Sequence, residues 1–104
     1  MNNIFWNGYS SSERHYTITK VREVVSSYGD IVDFKFFSDI SMVIMIEIKE
    51  CYIDKLNDEL KRHLLLDEFD SLQSKSESER VIYLNLTFTQ ATGDLKVEVP
   101  SVPG

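Results

Sequence analysis

The segment Met42-Val-Ile-Met-Ile-Glu-Ile48 decides the fold of this chain. Seven residues are too few to cross a membrane, and their apolar side chains fall on both faces of a strand until Glu47 interrupts one face. Helices can cover one face, and the other, formed by Val43 and Met45, then needs a cover of its own. The segment therefore predicts a central strand with an apolar patch on the side that helices leave open.

Apolar periodicity on either side of this segment predicts the order strand, helix, strand, strand, helix, strand. The predicted strands begin at Ile4, Asp30, Met42 and Val81, and the helices carry the apolar stripes from Ile18 to Tyr28 and from Ile53 to Leu64. We expect Gly29 to end the first helix, with Ser12 or Thr17 as its N-cap. The turn residues at 38–39 then predict a tight hairpin before the Met42 segment.

This order is that of the split βαβ, or ferredoxin-like, sandwich, which is an α+β fold. Right-handed crossovers place both helices on one face of an antiparallel sheet, with the strands in spatial order four, one, three, two. We expect one domain over residues 1–104, with a flexible loop at about 71–80 and a frayed tail at 100–104. A short extra strand at 95–99 pairs either locally with strand four or with a partner's sheet, and its glycine-containing turn favours the local hairpin.

Charge and cysteine content restrict the partners and the compartment. The 104 residues carry a formal net charge of -6, which disfavours binding to nucleic acid or to an anionic membrane. Most of the acidic excess falls within residues 50–70, on the second helix. Cys51 is the only cysteine, so an internal disulfide is excluded. With no signal-peptide pattern at the N-terminus, we expect a cytoplasmic protein.

Sequence motifs of catalysis do not occur in this chain. It has no Walker loop, nucleophile elbow, HExxH or EF-hand pattern. His15 and His63 lie near helix ends, and Cys51 lies at a strand-to-helix junction, where a small, partly buried filler is common. We therefore assign no catalytic residue, no metal ligand and no cofactor.

The run from Ile18 to Ile31, followed by the Met42 strand, resembles an ACT domain, in which a helix ends in a glycine before a strand and a strongly apolar strand follows. The resemblance implies a non-catalytic regulatory module that pairs side by side and holds a small ligand, often an amino acid, near the loop after strand one. Aromatic side chains beside a glycine turn suit such binding. The expected ligand-binding residues are Phe5, Trp6, Asn7, Gly8 and Tyr9.

A homodimer is the simplest cover for the apolar patch on the open side of the sheet. The expected interface residues are Ile31, Phe37, Val43 and Met45. Alternation along strand one sends either Phe5 or Trp6 to the same side. The expected partners are thus a second copy of the chain and a small molecule such as an amino acid.

Two other families and one other role also fit parts of this sequence. The segments 4–9 and 28–31 resemble an RNA-recognition motif with Phe5 as the stacking residue, but the acidic surplus predicts no nucleic-acid partner. The chain is also similar to a dimeric α+β barrel, an enzyme or small-molecule-binding protein with a pocket between facing sheets. A protein-interaction adaptor that uses the acidic second helix is the remaining alternative.

Overall fold

A computed structural model describes residues 3–89, which form a five-stranded mixed sheet with two α-helices on one face. The elements are β1 (Ile4–Ser10), α1 (Arg14–Ser26), β2 (Gly29–Ser38), β3 (Ser41–Lys49), a 3-10 turn (Glu50–Tyr52), α2 (Ile53–Leu60), β4 (Leu65–Leu66) and β5 (Glu79–Phe88). The predicted α+β class is confirmed. Neither helix in this part of the chain is long and apolar enough to cross a membrane.

The spatial order of the strands is β2-β3-β5-β1-β4, so the predicted ferredoxin-like order is not confirmed. β5 runs parallel to β1 and antiparallel to β3, and it occupies the place predicted for the first strand. Every second side chain of β5 is buried, namely Ile82, Leu84, Leu86 and Phe88. Alternation reveals which face of a strand is buried but not which strand lies beside it, so the sequence could not distinguish the two orders.

β5 has a neighbouring strand along both of its edges. Residues 82–88 pair with β1, and residues 79–87 pair with β3. The extra strand expected at 95–99, with its preferred local hairpin, stays a prediction. That segment and the predicted tail at 100–104 lie outside the described residues.

The Met42 segment becomes β3, an inner strand between β2 and β5, as predicted. Its even-numbered residues, from Met42 to Ile48, are buried beneath the two helices. We call this the helix side of the sheet and the opposite surface the open face. Val43 and Met45 are half-buried on the open face, and Glu47 is exposed there.

The N-cap of α1 is Glu13 rather than Ser12 or Thr17. Its carboxylate accepts hydrogen bonds from the main-chain N–H groups of His15, at 3.0 Å, and Tyr16, at 2.9 Å. These two bonds lower the pKa of Glu13 because they stabilise its charged form. The sequence did not indicate this cap because Glu is seldom an N-cap.

Gly29 follows α1 and begins β2, and no described glycine has a positive φ. A glycine is needed there because of packing. A Cβ atom would lie 2.5 Å from the main-chain oxygen of Glu47 and 3.0 Å from Cβ of Ile48. The helix ends at Ser26 with Ser27 as its C-cap, so the prediction that Gly29 ends it is wrong, and close approach to β3 explains the glycine.

β2 forms one edge of the sheet, and its pairing with β3 is irregular. The register shifts between Ile31 and Asp33 and again between Phe36 and Ser38. Ile31 lies opposite Ile46 on the helix side and packs against the core. The expectation that Ile31 joins Val43 and Met45 on the open face is therefore wrong, because the bulge at Val32 shifts the alternation by one residue.

Candidate functional site

The open face carries a row of apolar side chains across three strands. Phe5 in β1, Tyr83 in β5 and Met45 in β3 lie side by side. The rings of Phe5 and Tyr83 stack with their centroids 5.2 Å apart and their planes inclined by 18°. Phe5 is 71% exposed, so its ring presents apolar area to solvent.

A pair of amide side chains lies in the next row. Asn85 Nδ2 donates to Asn7 Oδ1 at 3.3 Å, and Val43 on β3 lies opposite Asn85. Each amide has further donor and acceptor capacity. Polar groups beside an aromatic surface can orient a small ligand.

A groove of about 340 Å³ lies on the open face between β2 and β5. Val43 and Met45 line it together with the aromatic rings of Phe37 and Tyr83. Lys35 also lines it and places its Nζ 5.9 Å from the centre of the Phe37 ring. A mainly apolar groove of about 300 Å³ or more with few polar groups has the composition of a small-molecule site.

The five predicted ligand-binding residues are divided between the two sides of the sheet. Phe5, Asn7 and Tyr9 are exposed on the open face, whereas Trp6 and Gly8 are buried on the helix side. The expected glycine turn is wrong, because residues 4–10 form one continuous strand, and the regular alternation of that strand divides the five residues. Only three of the five can therefore take part in a site on the open face.

Trp6 and Gly8 have structural roles. Trp6 is 4% exposed and meets Phe69 edge to face, with the ring centroids 5.1 Å apart. A Cβ atom on Gly8 would lie 3.0 Å from a Leu66 methyl carbon, so β1 and β4 approach closely there. Within the described part of the chain, the indole N–H of Trp6 has no hydrogen-bond partner.

Three of the predicted interface residues, Phe37, Val43 and Met45, line the same groove. Tyr83 and Asn85 also belong to this surface but were not among the predicted site residues. The alternation of β5 indicates that both face away from the core, yet their proximity to Phe5 depends on a pairing between strands far apart in sequence.

A second groove, of about 250 Å³, lies on the helix side between α1 and β2. Ile18 and Arg22 of α1 line it together with Phe34 and Phe36 of β2, which are 53% and 46% exposed. β2 thus has an apolar groove on each of its faces. Large apolar side chains on both faces of an edge strand are typical of an interaction site.

The two edges of the sheet are covered to different extents. β4 pairs with Gly8 and Tyr9 at the outer edge of β1, and Asp67 N–H donates to the Asn7 carbonyl at 3.0 Å. The ten residues of β2, by contrast, pair with β3 on one side and with no other strand in residues 3–89. An uncovered edge can accept a further strand.

Two carboxylates hold the polar segment that follows β4. Asp54 accepts hydrogen bonds from Ser71 Oγ, Leu72 N–H and Gln73 N–H at 2.7, 2.9 and 2.8 Å. Glu50 accepts from Ser74 Oγ at 2.7 Å and from the guanidinium of Arg80. Residues 71–78 have no helix or strand, as predicted, whereas Glu79 and Arg80 already belong to β5. The flexibility of the segment stays a prediction.

These contacts shift the pKa of both carboxyl groups downwards. For Asp54, burial raises the pKa and is the largest single effect, but hydrogen bonds from the 71–73 segment together outweigh it. For Glu50, the hydrogen bond from Ser74 lowers the pKa most, followed by that from Arg80. Two acids of the 50–70 cluster therefore hold the chain's own loop in place.

The structure shows where the candidate metal ligands and the free thiol lie. No cluster of three or more His, Cys, Asp or Glu side chains at 3–89 is placed to hold a metal ion. Cys51 is half-buried as a free thiol, and its main-chain N–H donates to the Ser76 carbonyl at 2.9 Å.

No family model, curated protein or solved structure matches this chain. The resemblance to ACT domains therefore stays a prediction from the residues that carry it.

Proposed function

We propose that this chain is a small non-catalytic ligand-binding module that acts as a homodimer, as its resemblance to ACT domains implies. The observation that carries the proposal is the open-face groove between Phe37 and Tyr83, with Val43 and Met45 among its lining residues. Its apolar lining suits the apolar part of a small ligand, such as an amino-acid side chain.

The surroundings of the groove support the same chemistry. Phe5 extends the apolar surface beyond Tyr83, and the amides of Asn7 and Asn85 offer hydrogen bonds beside it. A ligand with an apolar body and a polar end can lie across the two rows. Its apolar body contacts the rings, and its polar end meets the amides.

Thermal-shift measurements against the twenty amino acids and the common nucleotides test the ligand. We expect a rise in Tm with at least one amino acid that has an apolar side chain, since a ligand bound only by the folded state stabilises it. The substitution Tyr83→Ser should abolish the shift. Tyr16→Ser is the matched control, because Tyr16 is an exposed tyrosine on α1. No shift with any probe would contradict the proposed ligand.

Light scattering on the purified chain tests the dimer. We expect the mass of two chains at micromolar concentration, and the mass of one chain would contradict the homodimer.

A dimeric α+β barrel, with two open faces opposed, is the second candidate. The exposure of Phe5, at 71%, and Phe37, at 61%, favours it because facing sheets would bury both rings. Phe5→Lys would dissociate a dimer of facing sheets, since it would place two lysines in a dry interface. The same substitution leaves a side-by-side dimer intact, since Phe5 lies in β1, three strands away from β2.

A further inference from the structure

The geometry of β2 indicates how two copies of the chain would meet. β2 lies at the sheet edge opposite β4 and carries exposed aromatic side chains on both faces. Between its two bulges, the segment 33–36 alternates regularly opposite β3. Asp33 and Lys35 share the open face there, and Phe34 and Phe36 share the helix side.

The hydrogen-bond pattern shows which main-chain groups of β2 point outwards. Phe88 N–H donates to the Ile40 carbonyl at 2.9 Å, so the alternating pattern directs residues 40, 42 and 44 towards β5. Phe34, which lies opposite Ile44, therefore turns its N–H and C=O away from β3. In agreement, Phe34 N–H donates to the exposed Asp33 Oδ1 at 2.9 Å.

Among axes at residues 33, 34 and 35, charge favours one for a symmetric pair of β2 strands. In an antiparallel pair of identical strands, the residue on the two-fold axis lies opposite itself. An axis at Asp33 or at Lys35 places like charges opposite each other, which is unfavourable. An axis at Phe34 places Asp33 opposite the partner's Lys35 and Lys35 opposite the partner's Asp33.

We propose that two copies of this chain associate edge to edge through β2, antiparallel, with the two-fold axis at Phe34. This inference rests on the proposed homodimer and specifies its interface. Phe34 of each copy exchanges N–H···O=C bonds with Phe34 of the other, and Val32 lies opposite Phe36. Asp33 then releases the Phe34 amide and pairs with Lys35 of the other copy.

The surface available on β2 is adequate to begin such an interface. At roughly 200 Å² for each aromatic side chain, the exposed parts of Phe34, Phe36 and Phe37 present about 300 Å². A stable interface buries about 800 Å² on each partner. Three side chains of one strand therefore supply more than a third of one side, and the paired edge would satisfy main-chain groups as well.

A disulfide cross-link tests the position of the axis. In a Cys51→Ser background, the Cα atoms of residue 34 would lie about 5.5 Å apart across the axis, within the range that a disulfide spans. Phe34→Cys should therefore form a covalent dimer under mild oxidation. Phe36→Cys is the matched control and should stay uncross-linked, because the two Cα atoms would be about 13 Å apart along the strands.

A charge exchange tests the register independently. Asp33→Lys alone, or Lys35→Asp alone, should weaken dimerisation about tenfold, because each opposes like charges twice. The double variant Asp33→Lys with Lys35→Asp restores opposite charges and should recover the wild-type Kd in analytical ultracentrifugation. If Asp33 and Lys35 acted only within one chain, exchanging the two residues would not be expected to restore the Kd of the dimer.

The results separate this inference from the proposed function. A dimer in solution with no preference for the residue 34 cross-link and no recovery in the double variant overturns the β2 interface and leaves the homodimer standing. A monomer overturns both proposals. Selective cross-linking at residue 34 together with recovery of the Kd supports both the edge and its register.

Discussion

At the scale of single residues, close packing decides which glycines tolerate a side chain. Gly29 faces the rigid main chain of β3, whereas Gly8 faces the ends of leucine side chains from the segment after α2. A main-chain oxygen cannot move without disturbing the pairing of β2 with β3, but a leucine methyl can rotate away. The two positions should therefore respond differently to the same added methyl group.

We expect Gly29→Ala to lower the free energy of unfolding by about 1–3 kcal/mol, the usual effect of overpacking. Gly8→Ala should change it by less than about 1 kcal/mol, because two small effects oppose each other. The added methyl group forces Leu66 to rearrange slightly, and alanine lowers the conformational entropy of the unfolded chain, which favours folding. Urea denaturation of both variants measures the difference. Equal effects would show that close approach to Glu47 does not explain Gly29.

The lowered pKa values of Glu50 and Asp54 predict that the stability of the folded chain depends on pH. Their pKa values are lower in the folded chain than the ordinary values of about 4.3 for Glu and about 3.9 for Asp. Their contribution to stability is therefore complete above those ordinary values and is lost as the pH falls through the folded values.

We expect the urea midpoint of the wild type to fall as the pH is lowered from about 5 to about 3. The double variant Glu50→Gln with Asp54→Asn should show a flatter profile, since neither replacement titrates. Profiles of equal slope would contradict the assignment of the acid sensitivity to these two groups.

At the scale of elements, α2 organises a segment that has no regular structure of its own. The polarity of residues 71–80 predicts a loop, and the loop is bound through its main chain to Asp54 on α2. Gln73 has a positive φ of 48°, an uncommon conformation for a side-chain-bearing residue, next to these bonds. Asp54, one of the acids of the second helix, thus binds a loop of the same chain.

The substitution Asp54→Ala should increase hydrogen exchange at the amides of Leu72 and Gln73 about tenfold, because both lose their acceptor. Asp58→Ala, which removes a carboxylate from the same helix, is the control and should leave these rates unchanged. Mass spectrometry of exchanged peptides provides the measurement. Unchanged rates in the Asp54 variant would mean that other contacts hold the loop.

At the scale of the whole molecule, the edge and the face that no other part of residues 3–89 covers meet at β2. The helices protect one side of the sheet and β4 protects the outer edge of β1, whereas β2 presents aromatic rings to solvent. Association with a second copy would reduce this exposure and stabilise the folded chain.

For the proposed homodimer, Tm should rise by about 5 °C when the protein concentration is increased a hundredfold, because unfolding releases two chains. Phe34→Ser should reduce this dependence by weakening the β2 edge. A Tm that does not change with concentration in the wild type would contradict the homodimer.

Local periodicity determined much of this fold, since the burial of alternate residues in β3 and β5 and the stripe on α1 follow from spacing alone. Spacing also indicated that Val43 and Met45 lie on the open face. These features depend only on residues close to one another in sequence, so they can be read from the sequence without knowing which strands pair.

Only the tertiary structure decided the strand order, the bulge at Val32 and the meeting of Phe5 with Tyr83. Each depends on which strands pair and in what register, and alternation is the same for every possible neighbour. The Met42 segment thus specified a strand with two apolar faces. The pairing of distant strands determined that its open side would join an aromatic groove beside an edge that residues 3–89 leave unpaired.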